Sequence, residues 1–170
     1  MSATLGYVVV GSDVGGYLDH DDQNLTGPVI PFDTLVFARW SAMGALMPLM
    51  QLLSRGDVMP WTVPDHVPET IALYRYWATL HHELVPFFYS LAEEIYAKRA
   101  SGIVRPVGDA SAWVGDFRYM LGDALLVAPI LDASGARDVA LPPGANYYDW
   151  WSPSADALAG GTTLAQYDAT

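Results

Sequence analysis

The sequence changes character at Gly102. Before this residue, apolar runs alternate with amphipathic helical segments, whereas after it short apolar segments are separated by clusters of Gly, Pro and Asp. The first arrangement is typical of α/β proteins, in which helices cover a parallel sheet, and the second is typical of an antiparallel β-sandwich. The sequence therefore predicts an α/β part over residues 1–102 and an all-β part over residues 103–170.

The α/β part has the order strand, helix, strand, helix. Residues 5–10 form an unbroken apolar run, which predicts a strand buried on both faces. Asp33 is a favourable N-cap for the first helix, and residues 45–53 form a second apolar run. A long second helix starts near Pro68, contains Pro86, which predicts a kink, and carries apolar residues at steps of three and four. Those residues are Leu73, Trp77, Leu80, Leu84, Phe87, Leu91 and Ile95.

The all-β part is divided by turn signals. Its strand candidates are residues 124–130, 139–141 and 146–151. The turn clusters are residues 132–135, 142–144 and 160–161, which contain Gly, Pro or Asp. This part shows no helical period, so short antiparallel strands are expected throughout.

Charge and composition restrict the partners. The 170 residues include 19 acidic and 8 basic side chains, so the formal net charge is −11. This charge repels nucleic acids and anionic membranes, and no stretch reaches the roughly 20 apolar residues of a membrane-spanning helix. A neutral sugar is compatible with it, and six Trp and ten Tyr supply rings on which sugars stack. There is no Cys, so disulfides and thiolate metal sites are excluded.

The predicted parts are small for their architectures. Two βα units cannot close a barrel that normally needs eight of them and roughly 250 residues, so we expect the chain to be a piece of a larger protein. Residues 1–4 lack the basic start and apolar run of a signal peptide, which favours a cytoplasmic location. A secreted protein would need a signal segment further upstream.

Nine motifs follow one another along the chain. They are residues 11–17 (GSDVGGY), 37–40 (FARW), 47–51 (MPLMQ), 60–61 (PW), 80–89 (LHHELVPFFY), 105–106 (RP), 119–129 (YMLGDALLVAP), 141–144 (LPPG) and 148–151 (YDWW). In this order they resemble the motifs of glycoside hydrolase family 31, from its Gly-x-Asp-Ile-Gly-Gly-Phe segment to its Leu-Pro-x-Gly-x-Trp-x-Asp-aromatic ending. The resemblance covers nearly the whole chain. It implies that residues 1–102 are the last two βα units of a (β/α)8 TIM barrel and that residues 103–170 are the β-sandwich beside it.

The resemblance also implies an activity. Members are retaining α-glycosidases, which cleave terminal α-linked sugars by double displacement between two carboxyl groups roughly 5–5.5 Å apart. In the family both groups are Asp residues on barrel strands that precede the segment matched by residues 11–17. No catalytic residue is therefore assigned in this chain, and we predict that the isolated chain hydrolyses nothing. No metal ion or other cofactor is expected.

Two residues are candidates for substrate binding. By the resemblance, Asp13 lies in the pocket for the non-reducing sugar, where its carboxylate would accept hydrogen bonds from hydroxyl groups. The alternative is that this carboxylate accepts backbone N–H groups of the turn at Gly15 and Gly16, two residues suited to positive φ. Trp61 either lines the mouth of the active site or packs in the core.

One position departs from the family pattern. Members commonly have Arg-x-His, with the His bound to sugar hydroxyls, where this chain has Gln51, Leu52 and Leu53. Leu53 cannot form a hydrogen bond, so this contact is absent or comes from Gln51, Ser54 or Arg55. The resemblance implies an α-glycoside or oligosaccharide substrate without choosing among α-glucosides, α-xylosides, α-galactosides and sulfoquinovosides.

Other patterns receive structural interpretations. Residues 81–83 (HHE) are adjacent on a helix and point in different directions, so they do not form a metal site. Residues 19–22 (DHDD) lack the spacing of a calcium loop, and the glycines of residues 11–16 lack the spacing of a dinucleotide fingerprint. Arg39 is expected to be buried and paired with a carboxylate.

Two alternatives to an enzyme piece stay open. In one, the chain is a binding module whose all-β part holds carbohydrate without cleaving it. In the other, it is a pseudo-enzyme that pairs with another chain to complete the barrel.

Overall fold

The computed structural model describes residues 2–5, 7–16, 27–28, 30–53, 59–62, 67–108, 115–153 and 156–168. The chain divides into two compact units, Met1–Pro129 and Ile130–Thr170. The first unit contains a 3-10 helix (Ser2–Leu5), β1 (Gly11–Val14), α1 (Thr34–Ala45), β2 (Leu49–Leu52), α2 (Val67–Tyr96), β3 (Val104–Pro106), β4 (Tyr119–Leu121) and β5 (Leu125–Val127). The second contains β6 (Ala136–Ala140), β7 (Asn146–Tyr147), β8 (Leu158–Ala159) and β9 (Thr163–Asp168).

The first two strands and the helix between them form a βαβ unit. β1 and β2 pair in parallel, with Gly11 opposite Leu49 and Val14 opposite Leu52. Such a connection requires a crossover, which α1 provides. Asp33 is the N-cap of α1, as predicted, because its carboxylate accepts a hydrogen bond from the backbone N–H of Val36 at 2.9 Å.

The predicted strand over residues 5–10 is wrong. Leu5 belongs to the 3-10 helix, and Tyr7, Val8 and Val9 are all exposed. Strand pairing begins instead at Gly11, where a Cβ atom would lie 2.2 Å from the carbonyl oxygen of Leu49. The close approach of the two backbones therefore requires glycine at this position, and β1 begins after the apolar run rather than within it.

The long helix α2 was correctly predicted in its extent and its buried face. It starts at Val67, one residue before Pro68, and its fully buried apolar side chains lie on the predicted stripe or next to it. Those side chains are Leu80, Leu84, Phe88 and Leu91. Pro86 lies inside the helix, and the kink expected there stays a prediction.

α2 ends in a Schellman motif. The N–H of Lys98 donates to the carbonyl of Ile95 and the N–H of Arg99 to that of Glu94, both at 2.9 Å. This motif places one residue in the left-handed region, and here that residue is Lys98, with φ 57°. The position that favours glycine is thus occupied by lysine.

The main core of the first unit joins α2 to the sheet β3–β4–β5, in which both strand pairs are antiparallel. Its buried side chains are Met47, Leu80, Leu84, Phe88, Leu91, Ile103, Val104, Tyr119, Leu121 and Val127. The hydroxyl of Tyr119 donates to the carbonyl of Leu46 at 3.0 Å, which satisfies the one polar atom of this fully buried side chain.

The second unit consists of paired short strands. β6 pairs with β9 and β7 with β8, both antiparallel. Its predicted turns contain positive-φ glycines at Gly135, Gly144 and Gly161. The change from helices and parallel strands to antiparallel strands is therefore confirmed, although β5 and β7 are shorter than the predicted strands.

Two buried polar atoms of α1 make no hydrogen bond within the described residues: Nε of Arg39 and Oγ of Ser41. For the part of the chain that the structure describes, the carboxylate expected beside Arg39 is thus absent at Nε.

Candidate functional site

The parallel pair β1–β2 presents two chemically different faces. A Cβ added at Gly44 in α1 would lie 2.9 Å from Cγ2 of Val14 and 3.5 Å from Cγ of Met50, so these side chains face α1. Successive residues of a strand point to opposite faces, which places Asp13 and Gln51 on the face turned away from the helix. In a barrel whose helices lie outside, that face lines the interior.

Asp13 and Gln51 are directly opposite each other in the parallel register. Nε2 of Gln51 donates to Oδ1 of Asp13 at 3.2 Å. Asp13 is half-buried and is the third residue of β1. Because an amide carries no charge, this contact orients the carboxylate without neutralising it. A carboxylate has about four lone-pair sites in total, so the bond to Gln51 leaves sites that can accept other hydrogen bonds.

The turn after β1 is closed by backbone atoms. The N–H of Gly16 donates to the backbone carbonyl of Asp13 at 2.9 Å. Gly15 and Gly16 have φ values of 94° and 86°, which confirms their conformational role. The turn is therefore held by the main chain of Asp13, while its carboxylate bonds to Gln51.

Trp61 does not pack in the core, since its side chain is 58% exposed. It borders a surface cavity of about 470 Å³, here called the Trp61 groove. The groove is lined by Pro60, Trp61, Ile71, Tyr74, Arg75, Ala78, Thr79 and His82. Asp13 is not among these residues. Of the two predicted substrate-binding residues, Trp61 therefore lines the groove, whereas Asp13 lies on β1 beside Gln51.

The α2 residues of the Trp61 groove were not predicted from the sequence. A signal was available, because Ile71, Arg75, Ala78 and His82 recur at steps of four and three along one helical face. Burial raises the pKa of Tyr74, so its hydroxyl stays protonated, and therefore able to donate, over the usual pH range.

His81 and His82 are adjacent on α2 but have different surroundings. His81 donates from Nδ1 to the carbonyl of Ala45 at 3.2 Å, a bond that requires the proton on Nδ1. His82 lines the groove. Among the described residues there is no group of three His, Cys, Asp or Glu side chains that could hold a metal ion.

Other residues expected to matter fall outside the described ranges. Ser54, Arg55 and residues 19–22 are among them. Leu53 follows β2 and is half-buried. Of the three residues considered as substitutes for the family histidine, Gln51 is the one that the structure describes, and its side chain bonds to Asp13. No helix in the described part of the chain is both long enough and apolar enough to cross a membrane.

Comparison with known families identifies both parts of the chain. Residues 1–91 match the TIM-barrel domain of glycosyl hydrolases family 31, and residues 95–170 match the C-terminal domain of the same family. The chain therefore belongs to glycoside hydrolase family 31, with a portion of the TIM barrel followed by the C-terminal domain.

Curated relatives agree with this membership. The 1,3-alpha-isomaltosidase of Kribbella flavida is 29% identical over 170 aligned residues, which cover 89% of this chain and 21% of that protein. The lysosomal alpha-glucosidase of Bos taurus is 28% identical over 151 residues, covering 85% of this chain and 15% of that protein. This chain thus spans about a fifth, or less, of the length of these relatives.

A solved structure shares the fold. The cycloalternan-degrading enzyme from Trueperella pyogenes superposes with a TM-score of 0.69 at 25% identity, covering 91% of this chain and 22% of that enzyme. The same enzyme in complex with isomaltose superposes with a TM-score of 0.65 at 26% identity, over 82% of this chain and 21% of that one.

Proposed function

We propose that this chain is part of a retaining α-glycosidase that cleaves terminal α-linked glucose units from oligosaccharides. In this proposal residues 1–102 form the last two βα units of the catalytic barrel and residues 103–170 the adjoining β-sandwich. The proposal is supported by the position of the Asp13 carboxylate on the barrel-interior face of β1, hydrogen-bonded to Gln51.

Asp13 would bind the sugar rather than attack it. Double displacement needs a nucleophilic carboxylate and a second carboxyl group that protonates the leaving oxygen. Both would come from strands outside this chain, as the family resemblance implies. Asp13 would accept hydrogen bonds from hydroxyls of the terminal glucose, and hydrogen bonds to a charged acceptor contribute about 1.5–3 kcal/mol each. Gln51 would fix the rotamer of the Asp13 side chain.

The substrate class follows from the relatives. They include an isomaltosidase, an alpha-glucosidase and an enzyme solved with bound isomaltose, all of which concern α-linked glucose. We infer the same class for this protein, with neither metal nor organic cofactor required by the double-displacement chemistry.

A chimera tests the proposal. Residues 1–170 replace the matching segment of the Kribbella flavida isomaltosidase, and hydrolysis of an aryl α-glucoside is measured. We expect turnover by the chimera, none by the isolated chain, and a loss of about 100-fold in kcat/KM for Asp13→Asn, roughly the effect of losing one or two charged hydrogen bonds. Leu131→Gln, at an exposed position in the second unit, serves as the control.

Three results would refute the proposal. One is a folded chimera without activity, a second is activity of the isolated chain, and a third is full activity after Asp13→Asn. Supplying the same 170 residues as a separate chain to the remaining part of the isomaltosidase tests the barrel-completing alternative, which predicts activity in trans.

A further inference from the structure

The Trp61 groove lies on the face of α2 that points away from the core. Ile71, Arg75, Ala78 and His82 are spaced four, three and four residues apart, so they form one stripe along the helix. Leu80, Leu84 and Leu91 are buried and lie on the opposite side, because a helix turns about 100° per residue. The groove is therefore an outward-facing feature of the first unit, separate from the face that carries Asp13.

The groove combines an apolar floor with a polar edge. Pro60 is buried and Ile71 and Ala78 are half-buried, whereas Arg75, Thr79 and His82 are exposed. The indole of Trp61 stands at the border with 58% of its surface exposed. The groove has a volume of about 470 Å³, which lies within the range of small-molecule sites, about 300–1,000 Å³.

This combination fits a neutral carbohydrate. A flat indole offers an apolar face for the C–H side of a pyranose ring, and guanidinium, hydroxyl and imidazole groups at the edge can bond to its hydroxyls. Among the described residues that line the groove there is no carboxylate, although the whole chain has a net charge of −11. Arg75 is the one arginine or lysine among the described lining residues, and a single guanidinium is too little for a phosphate or sulfate group.

We propose that the Trp61 groove is an accessory binding site for an α-gluco-oligosaccharide, outside the catalytic pocket. This inference rests on the proposed function, because that function supplies the class of ligand. Such a site would hold a distant portion of a long substrate while its terminal glucose occupies the pocket with Asp13. Trp61 provides the stacking surface, and Arg75, Thr79 and His82 provide the hydrogen bonds.

The test uses the 170-residue chain titrated with isomaltotriose, followed by saturation-transfer NMR and calorimetry. We expect saturable binding that Trp61→Ala weakens by at least about tenfold, the loss typical of removing one aromatic anchor. Trp61→Phe should retain part of the affinity. Trp150→Ala, which removes another exposed tryptophan in the second unit, should leave binding unchanged.

A second variant guards against misfolding of Trp61→Ala. Thr79→Arg fills the groove from an exposed helical position and should abolish binding while the thermal transition stays intact. The proposal is overturned if the wild-type chain shows no saturable binding, or if Trp61→Ala and Thr79→Arg both bind normally. If the chimera hydrolyses the aryl glucoside but the chain does not bind isomaltotriose, only the accessory site is refuted. If the chain binds isomaltotriose but the chimera is inactive, only the proposed function is refuted.

Discussion

Gln51 donates its side-chain amide to the carboxylate of Asp13 at 3.2 Å, across the parallel pair β1–β2. The two residues are 38 positions apart in sequence and meet because the register places them opposite each other. The family resemblance leads one to expect an arginine at position 51, so a neutral donor here replaces a cationic one.

Replacing Gln51 with Leu should impair the chimera less than Asp13→Asn does. The substitution removes the donor that orients the carboxylate but leaves the carboxylate itself, so we expect kcat/KM to fall by about tenfold, the equivalent of one hydrogen bond. Asn146→Leu removes an exposed amide in the second unit and should have no effect. An unchanged kcat/KM in Gln51→Leu would show that the hydrogen bond does not position Asp13.

Replacing Gly11 with Ala should destabilise the first unit. The added methyl would lie 2.2 Å from the carbonyl oxygen and 2.7 Å from Cβ of Leu49, so the strands must separate. Such overpacking costs at least about 1–3 kcal/mol, measured by urea denaturation. Gly102→Ala is the matched control, because its Cβ would make only an ordinary contact at 3.6 Å with the Val104 carbonyl. Equal stabilities of the two variants would contradict the observed approach of β1 to β2.

Replacing Lys98 with Gly should stabilise the chain by about 1 kcal/mol, because a left-handed residue with a Cβ is strained there. Lys98 has φ 57° and closes the Schellman motif at the end of α2. Lys98→Ala separates this effect from loss of the charge, since alanine keeps the Cβ. Denaturation midpoints of the three proteins give the comparison, and a gain in the alanine variant equal to that in the glycine variant would rule out backbone strain as the cause.

Replacing Tyr119 with Phe should lower the free energy of unfolding near neutral pH. It should also make that free energy fall less steeply as the pH rises above about 10. Loss of the hydroxyl leaves the Leu46 carbonyl unpaired, at a cost of about 1–3 kcal/mol. Burial raises the folded-state pKa of Tyr119 above its ordinary value. Its stabilising contribution is therefore complete below pH of about 10 and is lost as the pH rises further.

Urea denaturation between pH 7 and pH 11 measures both effects of Tyr119→Phe. Tyr76→Phe changes an exposed ring on α2 and should leave the pH dependence as it is in the wild type. A wild-type stability that declines no faster above pH 10 than that of Tyr119→Phe would contradict the assignment to the buried hydroxyl.

Local patterns predicted the helices better than the first strand. Asp33 and the apolar stripe of α2 act through nearby residues, so the cap and buried face could be predicted from spacing alone. The position of β1 depends on a contact between Gly11 and Leu49, which no local pattern encodes. An apolar run shows that side chains favour burial, but it does not show which backbone segment finds a partner.

Only part of the candidate site could likewise be predicted from the sequence. Asp13 was found through its motif, whereas its bond to Gln51 depends on the register of two strands. The Trp61 groove was not predicted, because it needs both the loop position of Trp61 and the outward orientation of α2. The predicted boundary near residue 102 stays a prediction, as does the role of Asp13 in sugar binding.

The core that α2 shares with the sheet β3–β4–β5 limits where the gene can be divided. Phe88 and Leu91 on the helix are buried in one cluster with Ile103, Tyr119 and Leu121, which come after residue 102. A recombination event that separated these segments would expose apolar surface on both products. The barrel portion and the sheet β3–β4–β5 should therefore be stable only when they stay joined.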